Sequence, residues 1–309
     1  MNRIAAFGAF IRLGRPLFLG GGFILYALGA AIAHAAGHAI TWPRYALGQG
    51  AVTSFQLMTH YANDYFDLEA DRANQTPTKW SGGSRVLAGG ELAPRVALHA
   101  AIVLAVIGGA LSAVLSVALG GVVLATLAAM FVLAWSYSAP PLRLCATGLG
   151  ELDTAIVVTL LVPWLGFYLQ APDLRGGALL ALSVVSPALL QLAMLVAIEF
   201  PDAAGDAATG KRTLVVRLGA PRAAKLYVAI TALAFAWPPL AHALGLPGAV
   251  SLAMVIPAPV ALWRIARVRD HADPAAFERL TFFAVFLLVA TAACALASWL
   301  VNSSTAASS

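Results

Sequence analysis

The sequence predicts an all-α integral membrane protein. Three observations carry that expectation: the composition, the length of the apolar runs, and the placement of Lys and Arg. Of 309 residues, 61% are hydrophobic and only 11% charged, with a mean hydropathy of +0.84. A soluble domain carries about 25% charged residues. Apolar runs of membrane-spanning length recur nine times. With the N-terminus taken as cytoplasmic, every one of the 19 Lys and Arg residues except Arg44 and Arg175 falls in a cytoplasmic segment. That segregation explains the pI near 9.5 without a nucleic-acid partner, and it places the partner surface in the lipid bilayer.

In chain order the runs lie at about 17–36, 45–62, 96–117, 121–138, 153–170, 178–199, 224–244, 249–266 and 280–301. An Ala-His-Ala sequence follows the first run, as at a signal cleavage site. The run is long for a signal peptide and eight more follow, so it reads as a span. The stretch 96–138 is about twice one span and divides at Gly120-Gly121. The eighth run holds Pro257 and Pro259 and is expected to kink. Residues 1–301 form a single nine-helix domain on this reading. The small, polar tail 302–309 is expected to be disordered. Cys145 and Cys294 lie near spans and read as packing residues.

Two connections are long, charged and Gly-rich: about 63–95 after the second run and about 200–223 after the sixth. Both fall on the cytoplasmic side. They also match each other. Asp64, Asp67 and Asp71 precede Glu199, Asp202 and Asp206 by 135 residues, and each set reads acid-x-x-Asp-x-x-x-Asp. The match suggests a weak parallel internal repeat with halves near 63–95 and 198–223. If the helices continue through the motifs, positions i, i+3 and i+7 share a face within roughly 60°. Two such carboxylate stripes would repel each other unless a cation lay between them. All six are hard oxygen ligands, which suits Mg²⁺ held together with a phosphorylated ligand.

Basic, glycine-rich sequences follow each cluster. "TKWSGGSRVLAGG" places Lys79 and Arg85 around a Gly-Gly turn, and "TGKRTLVVRLG" carries Lys211 and Arg212. Such loops suit diphosphate oxygens. "TGKRT" is not a Walker site, because it follows a membrane helix and not a strand. His60 reads as a packing or interfacial residue rather than a ligand. Gln56 and Gln191 lie inside the second and sixth runs, where they either line a cavity or bond between helices.

At this point the residues resemble the UbiA superfamily of membrane-embedded prenyltransferases. "NDYFDLEAD" is similar to its NDxxDxxxD motif and "DAAGD" to its DxxxD motif. "RLGRP" before the first run and "YSAPPLRL" (137–144) also match. The resemblance covers nearly the whole chain. It implies nine helices around a central cavity, capped on the cytoplasmic side by the two motif loops. The implied reaction is Mg²⁺-dependent transfer of a polyprenyl group from its diphosphate to an aromatic or other acceptor, an aromatic one being expected here. Asp64, Asp67, Asp71, Asp202 and Asp206 then resemble the catalytic metal-diphosphate residues, with Glu199 as an added ligand candidate. Asn63, Arg85, Lys211, Arg212, Arg143 and Lys79 look like diphosphate partners. Tyr137, Gln56, Gln191 and Arg15 look like cavity residues.

"SGGSR" and "GKRTLVVRLG" are most similar to the 1,4-dihydroxy-2-naphthoate branch, which implies menaquinone-type quinone biosynthesis in a bacterial or archaeal cell membrane. Glu199 departs from that branch, which often has Asn there. Other acceptors (4-hydroxybenzoate, homogentisate-like or non-aromatic) and a membrane terpene cyclase share the same ionisation chemistry. An ion-coupled transporter is the alternative of a different class. Against it, the acids sit at helix ends beside basic loops and not within the spans.

Overall fold

The computed structural model describes residues 3–306, with side chains described as far as residue 302. No β-strand occurs among the described residues. The helices are α1 Arg3–Leu13, α2 Pro16–Ala35, α3 Trp42–Phe66, α4 Leu68–Ala73, α5 Pro94–Leu119 and α6 Gly121–Ser136. A continuous rod follows, made of α7 Gly150–Thr154, a π-helical stretch Ala155–Leu161 and α8 Val162–Tyr168. The remainder are α9 Gly177–Glu199, α10 Ala203–Ala208, α11 Leu214–Leu218, α12 Ala220–Ala243, α13 Gly248–Val255, α14 Ala258–Ala266 and α15 Phe277–Ala306.

Seven of these helical segments are long and apolar enough to cross a membrane. Two other runs expected as spans are also helical but fall short on one measure each. Gly121–Ser136 is apolar but only 16 residues long. Trp42–Phe66 has 25 residues but is less apolar, because its end carries the polar motif. The division at Gly120 and the break at Pro257 both appear, the first between α5 and α6 and the second between α13 and α14. The tail differs from expectation. Residues 302–306 continue α15, and 307–309 lie outside the described residues.

Proline sets many of the helix starts, because its missing N–H falls where no helical partner exists. It occupies the first turn of α2, α3, α5 and α12. Inside a span the same missing donor leaves a carbonyl unpaired, which lipid cannot satisfy. Pro238 in α12 leaves the Ala234 carbonyl without its helical donor, and Ser186 Oγ on α9 donates to that carbonyl at 2.6 Å. Ser251 Oγ on α13 donates to the Pro238 carbonyl at 2.8 Å.

The packing closes a ring. α3 packs on α5, α2 on α8, α9 on α12, and α15 on both α2 and α9. The α2–α8 contact is backbone on backbone. A Cβ at Gly29 would lie 1.9 Å from the Pro163 carbonyl oxygen, and one at Gly166 would lie 2.2 Å from that of Tyr26. Small residues permit such contacts between membrane helices. Inside the ring lies a cavity of about 200 Å³, lined by α2, α3, α6, the α7–α8 rod, α9 and α15.

Candidate functional site

Both acidic motifs sit at one end of that cavity, and neither lies on a single helix. α3 ends at Phe66, Asp67 caps it, and α4 starts anew at Leu68. Likewise α9 ends at Glu199, and Asp202 opens the separate α10. The two short helices meet through Gly205. A Cβ there would lie 2.9 Å from the Asn74 backbone nitrogen and 3.0 Å from the Ala70 carbonyl oxygen. That contact brings the acids of α4 and α10 into one polar chamber of about 80 Å³.

Breaking the helices changes which acids face inward. Asn63, Asp67, Asp71, Glu199, Asp202, Asp206 and Lys211 line the chamber, and Asp64 does not. Asp64 is buried against Arg15 and Ser84. The Arg15 guanidinium and the Ser84 hydroxyl both donate to its carboxylate, and the Ser84 backbone N–H lies 3.2 Å from Oδ2. The chamber-lining set on the first motif is thus spaced by four, at Asn63, Asp67 and Asp71, where a continuous helix would have put Asp64, Asp67 and Asp71 on one face, and Asp64 adjoins the chamber through Arg15. Asn63 joins the network by donating to Asp67 Oδ2 at 2.8 Å and to Ser138 Oγ at 3.1 Å.

Lys211 bridges the two halves. Its Nζ lies 3.0 Å from Asp67 Oδ2 and 3.1 Å from Asp206 Oδ1. Burial works against its charge, but Asp67 and Asp206 hold it well above the ordinary lysine value. Arg15 is similar: burial opposes its charge, while Asp64 and Asp71 raise its pKa. The acids show the opposite imbalance. Burial, with Asp64, Asp67 and Asp202 nearby, raises Asp71 to about 8. Burial and Asp206 raise Asp202 to about 7, although Asn74 Nδ2 donates to it at 2.7 Å and the Gly82 N–H at 3.1 Å.

Among the described residues, no three His, Cys, Asp or Glu side chains converge as a ready metal cage. The donor set nevertheless fits Mg²⁺. Carboxylates from two segments face one chamber and remain short of positive charge. Mg²⁺ takes one or two carboxylates and completes its shell with water and phosphate, so no protein cage is required.

The other expected residues divide. Tyr137 and Arg15 line both the chamber and the cavity, while Gln56 and Gln191 line the cavity. Gln56 also donates to the Phe18 carbonyl at 2.8 Å, so it both lines and bonds. His60 Nδ1 is 2.7 Å from the Gly14 carbonyl oxygen, as befits a packing role. Arg143 is half-exposed and 3.8 Å from Asp67. Arg85 reaches the Asp71 backbone carbonyl. Lys79 and Arg212 are exposed and line neither space. The Lys79 backbone N–H donates to Glu278 at 2.9 Å, and its ammonium lies 5.9 Å from the centroid of the Trp80 ring. Glu199 faces the chamber but accepts from the Val215 N–H at 3.2 Å, beside Glu151, which accepts from Leu214 at 2.9 Å. The two carboxyls fasten the start of α11.

Sequence reasoning missed Asn74, Ser81, Ser84, Trp80, Glu151 and Asp153. The last two stand at the start of an apolar run, and an acid there is itself a signal.

The sequence pattern described as the UbiA prenyltransferase family matches residues 23–289. The digeranylgeranylglyceryl phosphate synthase of Halobacterium salinarum is 32% identical over 218 residues, covering 71% of this chain and 72% of that one. A solved structure concerned with digeranylgeranylglyceryl phosphate synthase in membranes superposes with a TM-score of 0.64 at 17% identity, over 96% and 98% of the two chains. A UbiA homologue from Archaeoglobus fulgidus bound to GPP and Mg²⁺ gives 0.59 at 16% identity, over 93% and 99%. The apo homologue from Aeropyrum pernix K1 gives 0.63 at 19%, over 91% and 98%. These structural likenesses bear on the fold.

Proposed function

The chain belongs to the UbiA prenyltransferase family, and from that premise we propose that it transfers an isoprenoid group from an allylic diphosphate to the hydroxyl of a glyceryl phosphate acceptor. The two-part cavity carries this reading. A polar chamber of carboxylates and Lys211 opens onto an apolar cavity, with Arg15, Asn63, Trp80 and Tyr137 lining both. A diphosphate head suits the first and an isoprenoid tail the second. The family assignment removes the ion-coupled carrier. The relative from Halobacterium salinarum is named for a glyceryl phosphate bearing two geranylgeranyl groups. It moves the acceptor away from the 1,4-dihydroxy-2-naphthoate expected from sequence and withdraws support from a quinone pathway.

In this reading Asn63, Asp67, Asp71, Asp202 and Asp206 hold Mg²⁺ and the diphosphate, and Lys211 turns from the acids to phosphate oxygens. Bound Mg²⁺ supplies charge neutralisation to the departing diphosphate. Lys211 and Arg15 stabilise the same developing charge. The apolar walls exclude water from the allylic cation until the acceptor attacks. The protein spans the membrane nine times with its N-terminus and chamber on the cytoplasmic side. An apolar product leaves between helices into lipid.

An aromatic acceptor is the second reading, favoured by "SGGSR" and "GKRTLVVRLG". Purified protein given labelled geranylgeranyl diphosphate, Mg²⁺ and either geranylgeranylglyceryl phosphate or dihydroxynaphthoate should label the glyceryl phosphate. Labelling only of the naphthoate would replace the first reading with the second. Diphosphate release with no acceptor present would point to a cyclase.

A further inference from the structure

Most polar side chains that line the apolar cavity spend their hydrogen bonds on the protein itself. Gln56 bonds Phe18, Thr59 bonds Phe55, His60 bonds Gly14, and Thr154 bonds the Glu151 carbonyl. Arg15 Nε, Trp80 Nε1 and Asp153 Oδ1 are buried there without a partner, and of these three Asp153 supplies the hydrogen-bond acceptor. It lines the cavity, is 5% exposed, and its Oδ1 is buried with no hydrogen-bond partner. An unpaired carboxyl oxygen in apolar surroundings costs free energy unless some group meets it. Val157, Val158 and Met194 line the same cavity.

The place of Asp153 in the fold is also specific. α7 begins at Gly150, where an added Cβ would lie 2.8 Å from Cys145 Cα and 3.2 Å from the Tyr137 ring. Cys145 Sγ in turn sits 3.7 Å from Asp67. Asp153 therefore stands about one helical turn along α7 from the contact with Tyr137. The π-helical stretch begins two residues after it. Such turns are frequent at functional sites.

We propose that Asp153 is the acceptor's anchor and proton acceptor, an inference that rests on the prenyl-transfer reading. Its carboxylate accepts a hydrogen bond from the acceptor hydroxyl. The allylic carbon–oxygen bond to diphosphate breaks, and the bonding pair leaves with the diphosphate. A lone pair of the hydroxyl oxygen forms the new bond to the allylic carbon. The hydroxyl proton passes to Asp153, which returns it to water or to the released diphosphate. The ligand class is an alcohol or phenol that enters the apolar cavity hydroxyl first.

The test compares wild type, Asp153→Asn and Asp153→Glu as full-length protein in detergent. Two readouts are taken: Mg²⁺-dependent binding of labelled geranylgeranyl diphosphate, and transfer to geranylgeranylglyceryl phosphate with kcat and KM resolved. Both variants should bind the diphosphate as wild type does. Transfer by Asp153→Asn should fall about 100-fold or more, chiefly in kcat, the scale of a lost general base. Asp153→Glu should recover part of it and shift the pH profile of kcat. Transfer by Asp153→Asn within about threefold of wild type overturns the inference. So does a loss of diphosphate binding in both variants, which would mark Asp153 as a scaffold residue. A wild-type protein that neither binds nor transfers the donor would overturn the transfer reading itself, and this inference with it.

Discussion

Replacing Lys211 with methionine keeps the length of the side chain and removes the charge between the two acidic segments. The magnitude follows from the geometry. Its Nζ lies 3.0 Å from Asp67 and 3.1 Å from Asp206, with the lysine side chain 11% exposed and both carboxylates 6%. At an effective dielectric near 20, unit charges that close attract by roughly 5 kcal/mol before desolvation is subtracted. Removing one partner of a buried pair costs about 3–5 kcal/mol. Without metal, Lys211→Met should therefore unfold at a temperature lower by on the order of 10 °C. Millimolar Mg²⁺ should return at least half of that loss, because a divalent cation can take up the same carboxylates. The assay is thermal unfolding in detergent, with and without Mg²⁺, for wild type and variant. A variant as stable as wild type in EDTA would refute the argument, as would Mg²⁺ raising both proteins equally.

Asp202→Ala should abolish turnover while the protein remains folded, and full activity in purified Asp202→Ala would remove this residue from the metal site. Asp64→Asn should act differently: it releases Arg15 and the Ser84 turn, so it should lower thermal stability as well as turnover. An Asp64→Asn protein with unchanged melting but no activity would instead make Asp64 a direct ligand. Because Asp71 and Asp202 titrate near 8 and 7, the folded state holds more protons than the unfolded chain above about pH 4. Metal-free stability should then fall as pH rises from about 4 to 8, and the Mg²⁺-induced rise in melting temperature should be larger at pH 8 than at pH 5. A pH-independent Mg²⁺ effect would count against the assignment. Gly205→Val should separate α10 from α4 and cost about 1–3 kcal/mol, and it should weaken Mg²⁺-dependent donor binding. Binding within twofold of wild type would show that the close contact is dispensable.

The positions of the helices were legible because a span is a matter of length and hydropathy, and both can be counted. The division at Gly120 and the break at Pro257 followed from the same local rules. The inward acids were only partly legible. Spacing i, i+3, i+7 selects Asp64 only on a continuous helix, and the turn at Asp67 ends that helix. What holds Asp64 is Arg15, 49 positions earlier, and no local pattern announces that pairing. Glu199 was read as a ligand from the repeat alone, but its bond to Val215 and its neighbour Glu151 depend on how α11 folds back. Lys79 and Arg212 carried the right chemistry in the right loops, yet they are exposed and line neither space, because residue type does not set how a loop folds. Asp153 was visible as an acid opening an apolar run, but its importance emerged only with the cavity beside it.

The glycine contact between α2 and α8 has a consequence for how the donor-binding space can evolve. At Gly29 and Gly166 the two backbones touch, so at these two positions no side chain can be added without parting α2 from α8. Variation in isoprenoid length must therefore be written in the residues that line the cavity, such as Leu25, Met130, Ala134, Val285 and Leu288. Libraries aimed at a longer or shorter donor should be built there, with the glycines left unchanged.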